Sequence, residues 1–167
     1  MQNAHYFLSD EVDTNHLGQA LAASLSPGLT IALYGTLGAG KTTLTRAALR
    51  ALGITGTIKS PSYSWVESYS LPHLTVHHFD FYRFRDIEDW EAYGFDSYFD
   101  SQAVIFIEWP EKVAELLPPI DLKLQLDYHD SGRQAAISSL TTLGELCVNT
   151  LRAQLNTSMK TIIAPLN

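Results

Sequence analysis

Cysteine is almost missing from this chain: Cys147 is the only one among 167 residues. A lone thiol excludes an internal disulfide framework and a cysteine-built zinc site, and it suits a reducing compartment. Long hydrophobic runs are missing too. No stretch approaches the roughly 18 apolar residues that a membrane-spanning helix needs, and Met1 to Tyr6 lacks the basic start and apolar core of a secretory signal. A soluble, cytoplasmic protein without a membrane partner is the expectation. Positive charge is scarce: 11 Lys and Arg stand against 18 Asp and Glu, a net charge of −7. Gripping nucleic acid depends on basic side chains displacing counterions, so any nucleic-acid role should be indirect or shared. Repeats, low-complexity segments and linkers are also absent. A chain of this length with 46% hydrophobic residues then reads as one α/β domain over residues 1–155, followed by a frayed tail over 156–167.

What is present is a phosphate-binding signature. Gly35-Thr36-Leu37-Gly38-Ala39-Gly40-Lys41-Thr42 matches G-x-x-x-x-G-K-[ST]. The apolar, β-branched run Leu29 to Tyr34 precedes it, and Thr43 to Leu52 reads as a helix, which completes the strand, loop and helix that the signature requires. Each residue type has its reason. Glycines let backbone amides approach phosphate oxygens, a helix N-terminus adds positive potential, and Lys41 brings a mobile point charge. The hydroxyl of Thr42 is suited to Mg²⁺. Such a loop binds a nucleoside triphosphate, and with no guanine-reading N-K-x-D motif in the chain, ATP is favoured.

Helical spacing over Asp10 to Leu25 predicts an amphipathic helix capped by Ser9 or Asp10. Beyond the loop helix, Ser62 to Tyr69 and Thr75 to Phe81 read as strands of a hairpin turned at Pro72. Phe84 to Asp100 carries many acids, read as a solvated face of one or two short helices. Ala103 to Ile107 is the most apolar strand and should lie inside the sheet. Glu111 to Leu117 reads as a short helix, Leu122 to Tyr128 and Arg133 to Ser139 as a second hairpin, and Leu140 to Leu155 as a closing helix.

Hydrolysis needs acids at strand ends beside the loop. Glu108 ends the most apolar strand, where it can reach Mg²⁺ or polarise water, and Asp80 ends the preceding strand as the second carboxylate. Regular alternation puts His78, Asp80 and Tyr82 on one face. His77 and His78 point to opposite faces with no further ligand nearby and read as structural histidines. Trp109 can stack on a base or simply pack, and Arg133 by spacing alone has no assigned task. Arg46 and Arg50 share a solvated helix face.

Taken in order, the phosphate loop, Lys59-Ser60-Pro61-Ser62-Tyr63, His78-Phe79-Asp80-Phe81-Tyr82-Arg83, Glu108-Trp109-Pro110 and Gly132-Arg133 resemble the TsaE (YjeE) family of small bacterial P-loop ATPases. The resemblance implies a P-loop NTPase-like mixed β-sheet flanked by helices. It implies nucleotide contacts from Gly38, Ala39, Gly40, Lys41, Thr42 and Thr43, with Trp109 and Arg133 close to the nucleotide. Thr42 and Glu108 would hold Mg²⁺, and Lys41, Asp80 and Glu108 would serve catalysis. It further implies that Ser60 to Tyr63 is a switch-like segment, with Ser62 standing where the family usually has threonine. ATP hydrolysis would support the partners TsaB and TsaD in threonylcarbamoyladenosine modification of tRNA, which TsaD carries out, so tRNA would be met only through the assembly. Two other readings stay open: a small-molecule kinase, disfavoured by the acidic stretch where an arginine-bearing lid would sit, and a nucleotide-gated binding module.

Overall fold

The computed structural model describes residues 1–158. Within them the chain builds β1 (Asn3–Leu8), α1 (Glu11–Ala22), β2 (Thr30–Tyr34), α2 (Lys41–Ala51), β3 (Val66–Leu71), β4 (Leu74–Asp80), α3 (Ile87–Tyr93), β5 (Ala103–Glu108), β6 (Leu122–His129), β7 (Gly132–Ser139) and α4 (Thr142–Ser158). The seven strands described make one sheet in the order β1-β7-β6-β2-β5-β4-β3. Parallel pairing runs through β6, β2, β5 and β4, and antiparallel pairs close both edges. The fold is therefore α/β with a mixed sheet, as expected. No helix of the described residues is long and apolar enough to cross a membrane.

Both faces of the sheet are covered, which explains why β5 is buried at every position. Its Val104 and Phe106 join the larger core with Ile31, Leu33, Leu44 and Val148, and its Ala103, Ile105 and Ile107 join a second core with Phe79, Phe81, Trp90 and Phe95. The acidic stretch forms two short helices with a solvated acidic face, as expected, and this second core adds what lies beneath them. Glu88, Glu91 and Asp96 are exposed as expected, but Trp90 and Phe95 between them turn inward, with ring centroids 5.3 Å apart. Trp90 Nε1 donates to Asp96 at 2.9 Å, so even one of the acids secures an aromatic. Short helices suffice here because burial of large rings, rather than helix propensity, holds the segment.

Four expectations change. A first strand, β1, was not anticipated; it pairs along β7 from Asn3↔Ser138 to Leu8↔Arg133. Its burial alternates, but over too few residues to signal a strand without the edge it pairs with. The third strand starts at Val66 rather than Ser62, because residues 62–65 are taken up by a turn in which the Trp65 amide donates to Pro61 O at 2.6 Å. Glu111 to Leu117 is not an α-helix: a 3₁₀ turn forms at Pro110–Lys112, followed by a turn in which the Leu116 amide donates to Val113 O at 2.9 Å. The closing helix runs through Ser158 instead of ending at Leu155, and the rest of the expected tail lies outside the described residues.

Helix α1 packs across α2, and the approach is close. A Cβ at Gly18 would lie 2.5 Å from Leu44 O, so only glycine allows it. Asp10 starts the helix by accepting the Asp13 amide at 3.0 Å. Asp10→Ala is expected to cost about 1 kcal/mol, a fall in melting temperature of roughly 2–4 °C for a chain of this size, checked by thermal denaturation.

Candidate functional site

Strand β2 ends at Tyr34 and α2 starts at Lys41, so the phosphate loop is the connection between two buried elements. Its glycines are required by shape. Gly35, Gly38 and Gly40 have φ of 134°, 79° and 111°, and a Cβ at Gly35 would lie 2.2 Å from Leu126 O. Gly40 caps α2 without any side-chain bond, which leaves the first-turn amides of Lys41, Thr42 and Thr43 without a side-chain partner. Those amides and the helix dipole make a terminus suited to an anion. Ala39 is buried in the larger core, so its contribution to a ligand is its backbone alone.

Lys41 is 4% exposed. Its Nζ donates to Gly35 O at 2.5 Å and Thr36 O at 3.0 Å, and lies 4.0 Å from the centroid of the Trp109 ring. Burial pulls the amine below its usual pKa, while Glu108, Glu111 and Asp80 oppose that shift. Trp109 sits in the left-handed region at φ 60°, directly after Glu108, and packs against Tyr82 at 5.0 Å. It thereby roofs the lysine.

The strand ends bring both carboxylates to this place. Asp80 and Glu108 are register partners in the parallel pair of β4 and β5. Thr42 Oγ1 donates to Glu108 Oε2 at 3.0 Å, which ties the loop helix to the strand end. Asp80 accepts from the Ser60 hydroxyl and, at 2.9 Å, from the Tyr82 amide. Burial raises the Asp80 pKa above the ordinary carboxylate value; these two hydrogen bonds oppose the shift and neighbouring Glu108 adds to it. In the absence of nucleotide and Mg²⁺, the folded protein therefore binds a proton at Asp80 more tightly than the unfolded chain does. Stability then falls as pH rises from the unfolded carboxylate range through the folded pKa. Asp80→Asn is expected to raise the melting temperature near neutral pH, by roughly 2–4 °C for about 1 kcal/mol. The gain should shrink as pH falls toward the unfolded carboxylate range, where Asp80 itself is protonated; melting curves across pH check this.

These groups line one cleft of about 480 Å³, with Gly38, Gly40 and Lys41 to Thr43 contributed by the loop, Ser60, Ser62, Asp80, Tyr82 and Arg83 by the segments beside it, and Glu108 and Trp109 by the end of β5. Arg83 lies 4.5 Å over the Tyr63 ring. Arg133 stands apart, outside the cleft lining. Its guanidinium reaches Gly38 O at 3.5 Å, and its Nε lies 3.7 Å from where a Gly40 Cβ would be, so it braces the flank of the loop. Among the described residues no group of three His, Cys, Asp or Glu side chains could hold a metal alone. One hydroxyl and one carboxylate beside an anion-binding terminus instead suit a hard cation that arrives with phosphate oxygens. The donor set fits a magnesium nucleoside triphosphate.

His77 behaves as a structural histidine: its Nδ1 is 2.8 Å from the Ser68 hydroxyl and its ring meets Tyr98 edge-on at 4.9 Å. His78 is buried as well, and its Nε2 lies 2.9 Å from Glu108 Oε1, a contact that only the neighbouring strand made visible.

Comparison with known proteins gives a consistent picture. Residues 8–135 match the family model described as Threonylcarbamoyl adenosine biosynthesis protein TsaE. The tRNA threonylcarbamoyladenosine biosynthesis protein TsaE of Haemophilus influenzae is 36% identical over 150 residues, which cover 87% of this chain and 95% of that protein. The protein of the same name from Bacillus subtilis is 37% identical over 112 residues, 67% of this chain and 70% of that one. Among solved structures, the crystal structure of YdiB from Bacillus subtilis matches with a TM-score of 0.78 at 27% identity, over 91% of this chain and 95% of that chain.

Proposed function

This chain belongs to the TsaE family and thus to tRNA threonylcarbamoyladenosine biosynthesis, and on that premise we propose that it is a Mg²⁺-dependent ATPase whose hydrolysis supports TsaB and TsaD. The observation that carries the reading is the 3.0 Å hydrogen bond from Thr42 to Glu108, which joins the phosphate loop to a strand-end carboxylate at the place where a hydrolytic site needs both.

Thr42 and Glu108 are the residues that would hold Mg²⁺, which when bound neutralises phosphate charge. The uncapped amides at the start of α2 receive phosphate oxygens. Lys41 exchanges its two loop carbonyls for phosphate, a favourable trade because charge-assisted bonds to an anion are stronger than those to neutral oxygens. Asp80 orients the attacking water. The hydrogen bond from Ser60 makes that carboxylate part of the 60–63 segment, so a change at the phosphate can be passed to a surface loop. Tyr63, 82% exposed, is the outward end of this segment. Trp109 and Arg133 are assigned nearby support for the nucleotide, at the lysine and at the flank of the loop.

An ATPase assay with and without TsaB and TsaD tests the proposal. Weak turnover alone and clear stimulation by the partners are expected; an isolated chain hydrolysing ATP as fast as the assembly overturns the energy-coupling role.

A further inference from the structure

We propose that His78 is the positioning residue of Glu108: it donates Nε2–H to Glu108 Oε1 and so turns Oε2 toward Thr42 and the phosphate side of the cleft. The two atoms are 2.9 Å apart, and the histidine is fully buried. Glu108 is held as a fork, with Oε1 on His78 and Oε2 on Thr42 at 3.0 Å. Alternation along β4 gives the aim: His78 and Asp80 point to the same face of the sheet, and in the register with β5 they lie beside Phe106 and Glu108. A histidine two residues before one strand-end carboxylate thus reaches its partner on the next strand.

The other ring nitrogen supports this assignment. Nδ1 of His78 is buried and has no hydrogen-bond partner among the described residues. A histidine present only to fill space would carry that penalty for nothing, since leucine packs as well without a polar atom. His77, by contrast, has a bond for its Nδ1. A carboxylate can only accept, so the contact at Nε2 places a proton on that nitrogen. Outer histidines and carboxylates of this kind set the orientation of metal ligands, and their loss typically weakens metal affinity 10–100-fold.

The inference rests on Glu108 acting at the nucleotide, and its test separates the two. NMR of ¹⁵N-histidine-labelled protein near neutral pH should find the Nε2–H tautomer for His78, with its signals displaced in Glu108→Gln; an Nδ1–H tautomer, or signals indifferent to Glu108→Gln, overturns the proposal. Equilibrium binding of a fluorescent ATP analogue then reads function. His78→Leu should raise the half-saturating Mg²⁺ concentration about tenfold while leaving nucleotide affinity without Mg²⁺ unchanged, and His78→Gln, whose amide can donate at the place of Nε2, should restore it to within about threefold. An unaltered Mg²⁺ requirement in folded His78→Leu overturns the proposal, as does an equal loss in both variants that includes binding without Mg²⁺. If His78→Leu does not fold, His78→Gln and the tautomer decide. A wild type that binds no nucleotide would sink the ATPase reading, and the tautomer measurement would still decide the position of Glu108.

Discussion

Lys41→Ala is expected to weaken ATP binding about 100-fold, enough to abolish turnover at millimolar nucleotide. The estimate follows from losing charge-assisted hydrogen bonds worth about 1.5–3 kcal/mol each, and 1.4 kcal/mol is a factor of ten. Lys41 and Arg83 are the cations among the described residues lining the cleft, and only Lys41 stands within the loop. Its present bonds to Gly35 O and Thr36 O hold the amine 4.0 Å from the Trp109 ring, so the charge is stored where phosphate would arrive. Removing it also removes a buried cation whose pKa burial already lowers, and the fold should tolerate that well. Titration calorimetry with ATP, alongside a thermal melt without nucleotide, separates the two effects. Retained affinity in the variant would show that the loop amides bind the triphosphate alone.

Glu108→Gln should do something different. The amide keeps the shape and an oxygen for Thr42 but loses the charge, so nucleotide should still bind within several-fold while kcat falls by about 10²–10³, the size of effect seen when one preorganised electrostatic group is removed from a site. Glutamine also has one acceptor oxygen for two donors, so the fork that His78 and Thr42 impose keeps its oxygen on one arm only. Single-turnover hydrolysis at saturating ATP and Mg²⁺ measures the chemical step directly. Unchanged hydrolysis would remove Glu108 from the reaction and favour a nucleotide-gated binding module.

Much of this was written locally. Gly35 to Thr42 declares its own geometry because the glycines, the lysine and the helix start are contiguous, and the strand end at Glu108 was legible because the apolar run Ala103 to Ile107 stops there. The second hairpin was legible from its turn residues. The aromatic core around Phe79, Phe81, Trp90 and Phe95 was not, since neighbouring acids dominate the composition of that stretch and the rings pack on one another only where β4 and β5 bring them together. Glu111 to Leu117 misled by composition: the positive φ of Trp109 and the proline after it steer the chain into a single 3₁₀ turn.

By itself the sequence determined that a glycine-rich loop of the phosphate-binding pattern opens a helix, that carboxylates end two strands and that the chain is α/β, because each of these is enforced by side chains a few residues apart. The tertiary structure alone decided which groups act together. Thr42 meets Glu108 across 66 residues, His78 meets Glu108 across 30, and Ser60 meets Asp80 across 20. Parallel pairing of β4 with β5 and the packing of α2 over their ends create these contacts, and hydrogen bonds at 3 Å depend on strand order and register, which no local pattern of residues encodes.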